Sequence, residues 1–242
     1  MLQTGKILYN LDMIEKINSL FAGLDGIIRT PGPSLGNLMG SKKWVPYFVV
    51  ILVTVFILSF VTFPYAADQM SEMMQDSSLA DYFQDQNFDF HSLSFGQKLF
   101  VLIPELVFIF IVIGIGAFFT YLFFGIGGAE GLYINYFSIV TGASLIDIVF
   151  PKMVETISLV FNVKLLGFMS PAVFYSGEAK SFIHILISRF DIFSIWYTIA
   201  IALGIAFFAK IDKKKALTIS FIYLVFKALV MSGFTFLFMS MV

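Results

Sequence analysis

The chain has 242 residues, of which 59% are hydrophobic, 18% aromatic and only 13% charged. A soluble domain of this length cannot bury so much apolar surface, so the composition excludes a soluble globular protein and predicts a polytopic membrane protein. The formal net charge is −1 and the chain has no Cys, which excludes disulfides and thiolate metal sites. We expect no metal, no cofactor and no nucleic-acid partner.

The first predicted element is a cytoplasmic, amphipathic N-terminal region at residues 1–46. From Ile7 to Ile28, apolar residues recur at three- and four-residue steps between charged ones, which predicts an amphipathic helix, broken or bent near Gly23 and Gly26. Because this helix is too polar to span a membrane, we expect it in the cytoplasmic interface, against partner helices or as an ordinary packing helix. Residues 31–41, PGPSLGNLMGS, are predicted to be a loop.

This loop contains Gly32-Pro33-Ser34-Leu35-Gly36, which matches the G-x-S-x-G pattern of a hydrolase nucleophile elbow. An elbow requires a strand before it, a helix after it and a histidine near the serine. The strand and the histidine are missing here, since a Pro/Gly loop precedes the membrane helix and His91 and His184 are predicted on the opposite side of the bilayer. We predict no catalytic residue and therefore no enzyme.

Five apolar segments then predict an all-α, polytopic bundle of transmembrane helices within a membrane domain at residues 47–242. The predicted spans are residues 47–66, 99–124, 132–150, 190–209 and 216–241. An acidic loop without Lys or Arg separates the first two spans at residues 67–97. Residues 152–188 are predicted to form an amphipathic or re-entrant segment on the outer surface.

A basic cluster follows the fourth span and consists of Lys210, Lys213, Lys214 and Lys215. Because Lys and Arg next to a span remain on the cytoplasmic side, this cluster predicts a cytoplasmic N-terminus and an extracytoplasmic C-terminus. A sixth crossing within 152–188 would place the cluster outside, so we predict five crossings.

Three charged residues are predicted inside the spans, where charge is costly and indicates function or a specific packing pair. At about 1.5 Å per residue, Glu105 and Asp147 reach similar depths, and the long side chain of Lys227 can reach them. We predict that Lys227 pairs with Glu105, Asp147 or both, either as a structural salt bridge or as a site for an ion, a proton or a lipid headgroup. Asp191 and Trp196 are predicted at the rim of the fourth span.

Several segments in a particular order are shared with a known family. They are Pro33 to Pro46, the glycine-rich turn Gly125 to Gly131 followed by Tyr136-Phe137-Ser138, and Asp191-Ile-Phe-Ser-Ile-Trp196 leading to Gly204 and Lys213-Lys214-Lys215-Ala216-Leu217. In these the chain resembles the YIP family of polytopic proteins, named for binding Ypt/Rab GTPases, and more closely its bacterial members. The resemblance implies five spans, a cytoplasmic N-terminus and no reaction.

The resemblance therefore predicts a non-enzymatic scaffold that organises membrane or recruits partners, in the cytoplasmic membrane of a bacterium. The alternative is a small channel, transporter or lipid-handling protein that uses the charged residues inside the spans. Small residues four apart, such as Ala200 and Gly204, allow helices to approach closely. The expected partners are the lipid bilayer, further copies of the chain or other membrane proteins.

Overall fold

The structure, a computed structural model, describes residues 15, 18–75, 93–163, 165, 169–178 and 181–241. Within these ranges it is helical and contains no strand. The helices, numbered along the chain, are α1 at 18–29, α2 Pro31–Ser41, α3 Val45–Gln75, α4 Phe95–Ile126, α5 Tyr133–Ser144, α6 Phe150–Val160, α7 Phe182–Ser188, α8 Ile192–Ala209 and α9 Lys213–Met241. A π-helical turn, Leu145–Val149, joins α5 to α6, and Pro171–Phe174 is a 3-10 turn.

Five helical segments are long and apolar enough to cross a membrane. They are Val45–Tyr65, Phe95–Ile126, Tyr133–Val160, Ile192–Ala209 and Lys213–Met239. The predicted all-α bundle with five spans is thereby confirmed, while the orientation of its termini stays a prediction. The third span is the innermost of the five. In its most apolar stretch of 18 residues, 61% is buried within the protein, compared with 17% in the second span.

The two ends of the bundle differ in charge. At one end, which we call the lysine end, α2 leads into α3 through Lys42 and Lys43, and α8 leads into α9 through Lys210. The turn between α4 and α5 lies at the same end, because Lys215 Nζ is 3.9 Å from the position of a Cβ atom on Gly128. The other end, at which α4 and α8 begin, is called the opposite end.

Residues 31–41 form helix α2, so the predicted loop is wrong. Pro31 is compatible with a helix because it lies in the first turn, where its missing N–H has no helical partner in any case. Leu35, Leu38 and Met39 follow at helical spacing and are 0%, 5% and 0% exposed. Burial of this apolar face against the bundle outweighs the low helix propensity of the glycines and prolines in the segment.

Helix α2 packs against α8 through glycine. A Cβ atom on Gly36 would lie 3.0 Å from the carbonyl oxygen of Gly204 and 2.5 Å from the ring of Phe207. Gly32 and Gly40 lie on the same face of α2, at four-residue spacing, and approach Leu203 and Phe208. Glycine at this spacing lets the two helix backbones approach closely, as in membrane helix pairs.

Helix α1 folds back along α2 to form a helical hairpin that turns at Thr30. Gly26 lies against Ser34, and Gly23 against the hydroxyl of Tyr47 at the start of α3. Gly32, close to the turn, lies beside the carbonyl of Leu203, which is about 10 Å along α8 from Lys210. The hairpin therefore enters the bundle from the lysine end and returns to it.

The N-terminal amphipathic helix of the sequence analysis is described only from residue 18, with residue 15 also helical. In α1, Ile27 is buried while Asp25 and Arg29 are exposed, so this part of the helix is amphipathic. Its buried face contacts the third span, where Ile27 Cδ1 lies 3.6 Å from the position of a Cβ atom on Gly142. Residues 1–14, 16 and 17 lie outside the described residues.

The third span extends ten residues beyond its predicted end at residue 150, to Val160. Pro151, which directly follows the predicted end of the span, clashes in a regular α-helix with the carbonyl four residues earlier. The π-helical turn before Pro151 relieves this clash, since the N–H of Phe150 donates to the carbonyl of Leu145, five residues back. The outer segment predicted at 152–188 therefore begins as a continuation of the span. Helix α3 likewise extends into the predicted acidic loop, to Gln75.

We predict that Gly36→Ala destabilises the bundle by about 1–3 kcal/mol, because the added methyl group meets the backbone of Gly204, which cannot move aside. The matched control is Gly233→Ala within α9, where a Cβ atom meets no heavy atom within 4 Å and where alanine favours the helix. Thermal unfolding of both variants in detergent, followed by the loss of the monodisperse protein, measures the difference. Equal melting temperatures would contradict the packing of α2 on α8.

Candidate functional site

An ion pair inside the bundle connects two spans. Lys227 Nζ in α9 donates to Asp147 Oδ2 in the π-helical turn at 2.8 Å. Asp147 and Lys227 each lie fourteen residues from the lysine end of their spans, about 21 Å along the helices, which is within a hydrocarbon core of about 30 Å and nearer to its opposite side. The structure thus brings together two of the three charged residues that were predicted to meet.

The fourth span joins this pair through Ser194. Its hydroxyl lies 3.1 Å from Asp147 Oδ1 and 2.9 Å from Asp191 Oδ2. Because a hydroxyl has one proton, Ser194 donates to one carboxylate at a time. A continuous polar chain therefore runs from Asp191, at the opposite end of α8, through Ser194 and Asp147 to Lys227.

Asp191, one of the predicted rim residues, is the N-cap of α8. Its Oδ1 accepts hydrogen bonds from the backbone N–H groups of Phe193 and Ser194, at 2.8 and 2.9 Å. A carboxylate at this position satisfies otherwise unpaired N–H groups and interacts favourably with the helix dipole. Trp196, the other rim residue, is 37% exposed one turn further along α8.

Two tyrosines from different spans border the ion pair. The ring of Tyr197 lies 5.0 Å from Lys227 Nζ, within the range of a cation–π interaction. The hydroxyls of Tyr197 and Tyr223 converge on α4, at 3.9 and 3.7 Å from the position of a Cβ atom on Gly116. The second span therefore covers the ion pair and the two tyrosines on the side that the third, fourth and fifth spans leave open.

Glu105 belongs to a second ionic group rather than to the pair at Lys227. Lys152, in the extension of the third span, lies 3.4 Å from Glu105 and 3.3 Å from Glu155. The predicted cluster of Glu105, Asp147 and Lys227 is therefore divided, because Lys152, predicted in a segment on the outer surface, lies close enough to Glu105 to pair with it. Extension of the third span to Val160 is what brings Lys152 to Glu105.

A cleft of about 440 Å³ opens beside the start of the polar chain. Asp191, His184 and Ser188 contribute polar groups to its lining, together with Ser170 of the segment that precedes the 3-10 turn. His184 Nδ1 is buried and has no hydrogen-bond partner. Solvent in this cleft can reach Asp191, which is the first residue of the chain that leads to Asp147.

The lysine cluster predicted after the fourth span lies at the lysine end, and Lys210, Lys213, Lys214 and Lys215 are all exposed. Asp212 caps α9 through a hydrogen bond from the backbone N–H of Lys215 to its Oδ2, at 3.1 Å. Lysines in the first turn of a helix interact unfavourably with the helix dipole. The sequence of this turn is therefore not optimised for the stability of α9. Their position next to the membrane surface gives them access to lipid headgroups.

Three residues of the polar chain and its neighbours were not identified from the sequence: Ser194, Tyr197 and Lys152. Ser194 and Tyr197 are uncharged and common in membrane helices, so composition alone does not distinguish them. A signal was nevertheless present for Ser194, because Asp191, Ser194 and Thr198 recur at helical spacing on one face of an otherwise apolar span.

Comparisons with known proteins gave no match: no family model, no curated protein and no solved structure resembles the chain significantly.

We predict that Lys227→Met destabilises the protein by about 2–3 kcal/mol, because Asp147 keeps a buried charge without its cation. This value lies below the ~3–5 kcal/mol of a fully buried pair, since the two side chains are 31% and 19% exposed. The double variant Asp147→Asn/Lys227→Met removes both charges and should recover most of the loss. Thermal unfolding of the two single variants and the double variant measures this coupling.

Lys214→Met is the control, because it removes an exposed lysine of the same helix. If the effects of Asp147→Asn and Lys227→Met simply add, the two residues do not form a pair in the folded protein.

Proposed function

We propose that the chain is a non-enzymatic integral membrane protein of the YIP type, which acts as a membrane-organising or partner-recruiting scaffold in the cytoplasmic membrane of a bacterium. The observation that carries this proposal is the helical hairpin of α1 and α2. Its inner helix is fixed to the bundle, while the outer helix presents polar residues away from it.

The fixed half of the hairpin has interactions on two sides. Gly36 contacts α8, and Leu35 and Leu38 fill the space beside Gly142 of α5. Asn135 holds the end of the helix, because its Nδ2 donates to the carbonyl of Met39 at 2.8 Å. A segment held this firmly can transmit a load or a partner contact to the membrane domain.

The other helix of the hairpin, α1, has its polar face directed away from the bundle. Asn18, Asp25 and Arg29 are exposed along one side of the helix, and Phe21 and Ile28 are exposed beside them. Asp25 and Arg29 form an exposed pair at 2.7 Å, which contributes little stability by itself. A polar helical face held at the lysine end supports a role in recognition of a partner.

The ion pair supports the same proposal because its groups satisfy one another. Both carboxylate oxygens of Asp147 have a donor within reach, Lys227 Nζ at 2.8 Å and Ser194 Oγ at 3.1 Å. Such an arrangement links the third, fourth and fifth spans and fixes their register. A scaffold needs this rigidity and requires no vacant ligand position.

The test is site-specific photocrosslinking from α1 in native membranes. A photoreactive residue at Asn18 should give a protein adduct, and this adduct should weaken at least several-fold in an Asp25→Arg background. The matched control is a photoreactive residue at Phe108, which is 61% exposed on the apolar surface of α4. Adducts of equal yield from both positions, or adducts insensitive to Asp25→Arg, would contradict partner recruitment by this face.

A second candidate function is favoured by the polar chain from the cleft to Lys227. Two carboxylates, Asp147 and Asp191, share the hydroxyl of Ser194, and Asp191 lines a cleft of about 440 Å³. Carboxylates linked by hydrogen bonds inside a membrane are the elements of a proton or ion pathway. This observation supports a small transporter or channel.

Flux through reconstituted vesicles separates the two candidates. The scaffold proposal predicts that a pH gradient decays at the same rate in vesicles with the protein and in empty vesicles, as read with a pH-sensitive dye. Faster decay with the wild-type protein, abolished by Ser194→Ala and retained in Lys214→Met, would establish the pathway instead. Ser194→Ala interrupts the chain but leaves the Asp147–Lys227 ion pair in place.

A further inference from the structure

A groove of about 570 Å³ runs along the lipid-facing surface between α8 and α9. Thr198 and Ile199 form one wall, and Leu217, Thr218, Phe221 and Val225 form the other. The volume is within the ~300–1,000 Å³ of ordinary small-molecule sites. The groove extends from the first turns of α9, at the lysine end, towards the middle of the membrane.

The walls of this groove are almost entirely hydrocarbon. Both threonine hydroxyls turn back to their own helices: Thr198 Oγ1 donates to the carbonyl of Ser194 at 2.7 Å and Thr218 Oγ1 to that of Lys214 at 2.9 Å. Such bonds leave the methyl groups to face the groove. An occupant therefore finds no free hydroxyl donor on either threonine, and the predominantly apolar walls fit an acyl chain better than a polar ligand.

Positive charge lies where the groove meets the membrane surface. Lys214 is one turn before Thr218 and shares its face of α9. Lys210 and Lys213 precede Lys214 by four residues and by one residue. Lys215, by contrast, points to the turn between α4 and α5, since its Nζ lies 3.9 Å from the position of a Cβ atom on Gly128. An occupant whose chain lies in the groove thus has its headgroup beside Lys214.

From the apolar walls and this charge we infer that the groove binds one acyl chain of an anionic phospholipid from the leaflet at the lysine end, with the phosphate held by Lys214 and its neighbours. The complementary charge selects an anionic over a zwitterionic headgroup, and each lysine near the surface contributes to that selection. The bound lipid completes the contact between the fourth and fifth spans.

Quenching of a Trp residue in the groove by brominated lipid tests this inference. Phe221→Trp places the reporter in the wall, in a Trp44→Phe/Trp196→Phe background, and the protein is reconstituted with brominated phosphatidylglycerol or brominated phosphatidylcholine. We expect phosphatidylglycerol to bind about fivefold more tightly or better. Lys214→Gln should reduce this ratio about three- to fivefold, and Lys215→Gln should leave it unchanged.

Native mass spectrometry of the unaltered chain gives a second measurement that does not depend on the Trp replacements. Protein released from an equal mixture of the two lipids should retain phosphatidylglycerol, and Thr218→Phe, which fills the groove, should abolish the retention. Equal binding of the two lipids, or equal effects of Lys214→Gln and Lys215→Gln, would overturn the inference. So would efficient disulfide formation between two copies carrying Ile222→Cys, because a second copy would then occupy the groove.

Discussion

The close approach of α2 to α8 determines how the lysine end is built. Without a side chain at Gly36 and Gly204, the two backbones come near enough for Leu35 to occupy the space between α8 and the third span. Association of helices in lipid lacks a hydrophobic driving force, so it depends on packing of this kind and on polar bonds. Helix α2 is too short to span the membrane, and this contact is what keeps its eleven residues inside the bundle. The position of α1, and hence of its polar face, follows from it.

Many polar groups in the core have a partner within the protein, as a membrane interior requires, although the buried hydroxyls of Ser59, Ser220 and Ser232 have none. Many of the paired groups are hydroxyls that bond to a carbonyl of their own helix, such as Thr141 to Phe137 at 2.7 Å and Ser144 to Val140 at 2.8 Å. Asp147 cannot be satisfied in this way because it is an acceptor only. It therefore requires donors from other spans, and the ion pair to Lys227 is a constraint on how the third and fifth spans are aligned. The π-helical turn serves the same residue, since it lies at Asp147 and also accommodates Pro151.

The sequence was sufficient for the spans and insufficient for the features that depend on tertiary contact. Hydropathy and length identified all five membrane-crossing helices, because the bilayer imposes both. Helix α2 was missed because Pro and Gly are typical of loops, although the four-residue spacing of Gly32, Gly36 and Gly40 is itself a helix-packing pattern. Glu105 pairs with Lys152 rather than with Lys227 for a different reason: the third span continues past residue 150 through a π-helical turn, which hydropathy and length do not predict.

Burial differs widely among the five spans of the bundle. The third span is 61% buried in its apolar window, whereas the first and second spans are 22% and 17% buried. The outer spans are attached mainly by aromatic contacts, such as Trp44 to Phe137 at 4.9 Å and Phe48 to Phe110 at 5.4 Å. The ion pair, the hairpin and the groove all involve the third, fourth or fifth span. The fifth span is only 22% buried, like the first, so the groove between α8 and α9 lies on the lipid-facing surface, whereas the hairpin packs against the buried third span.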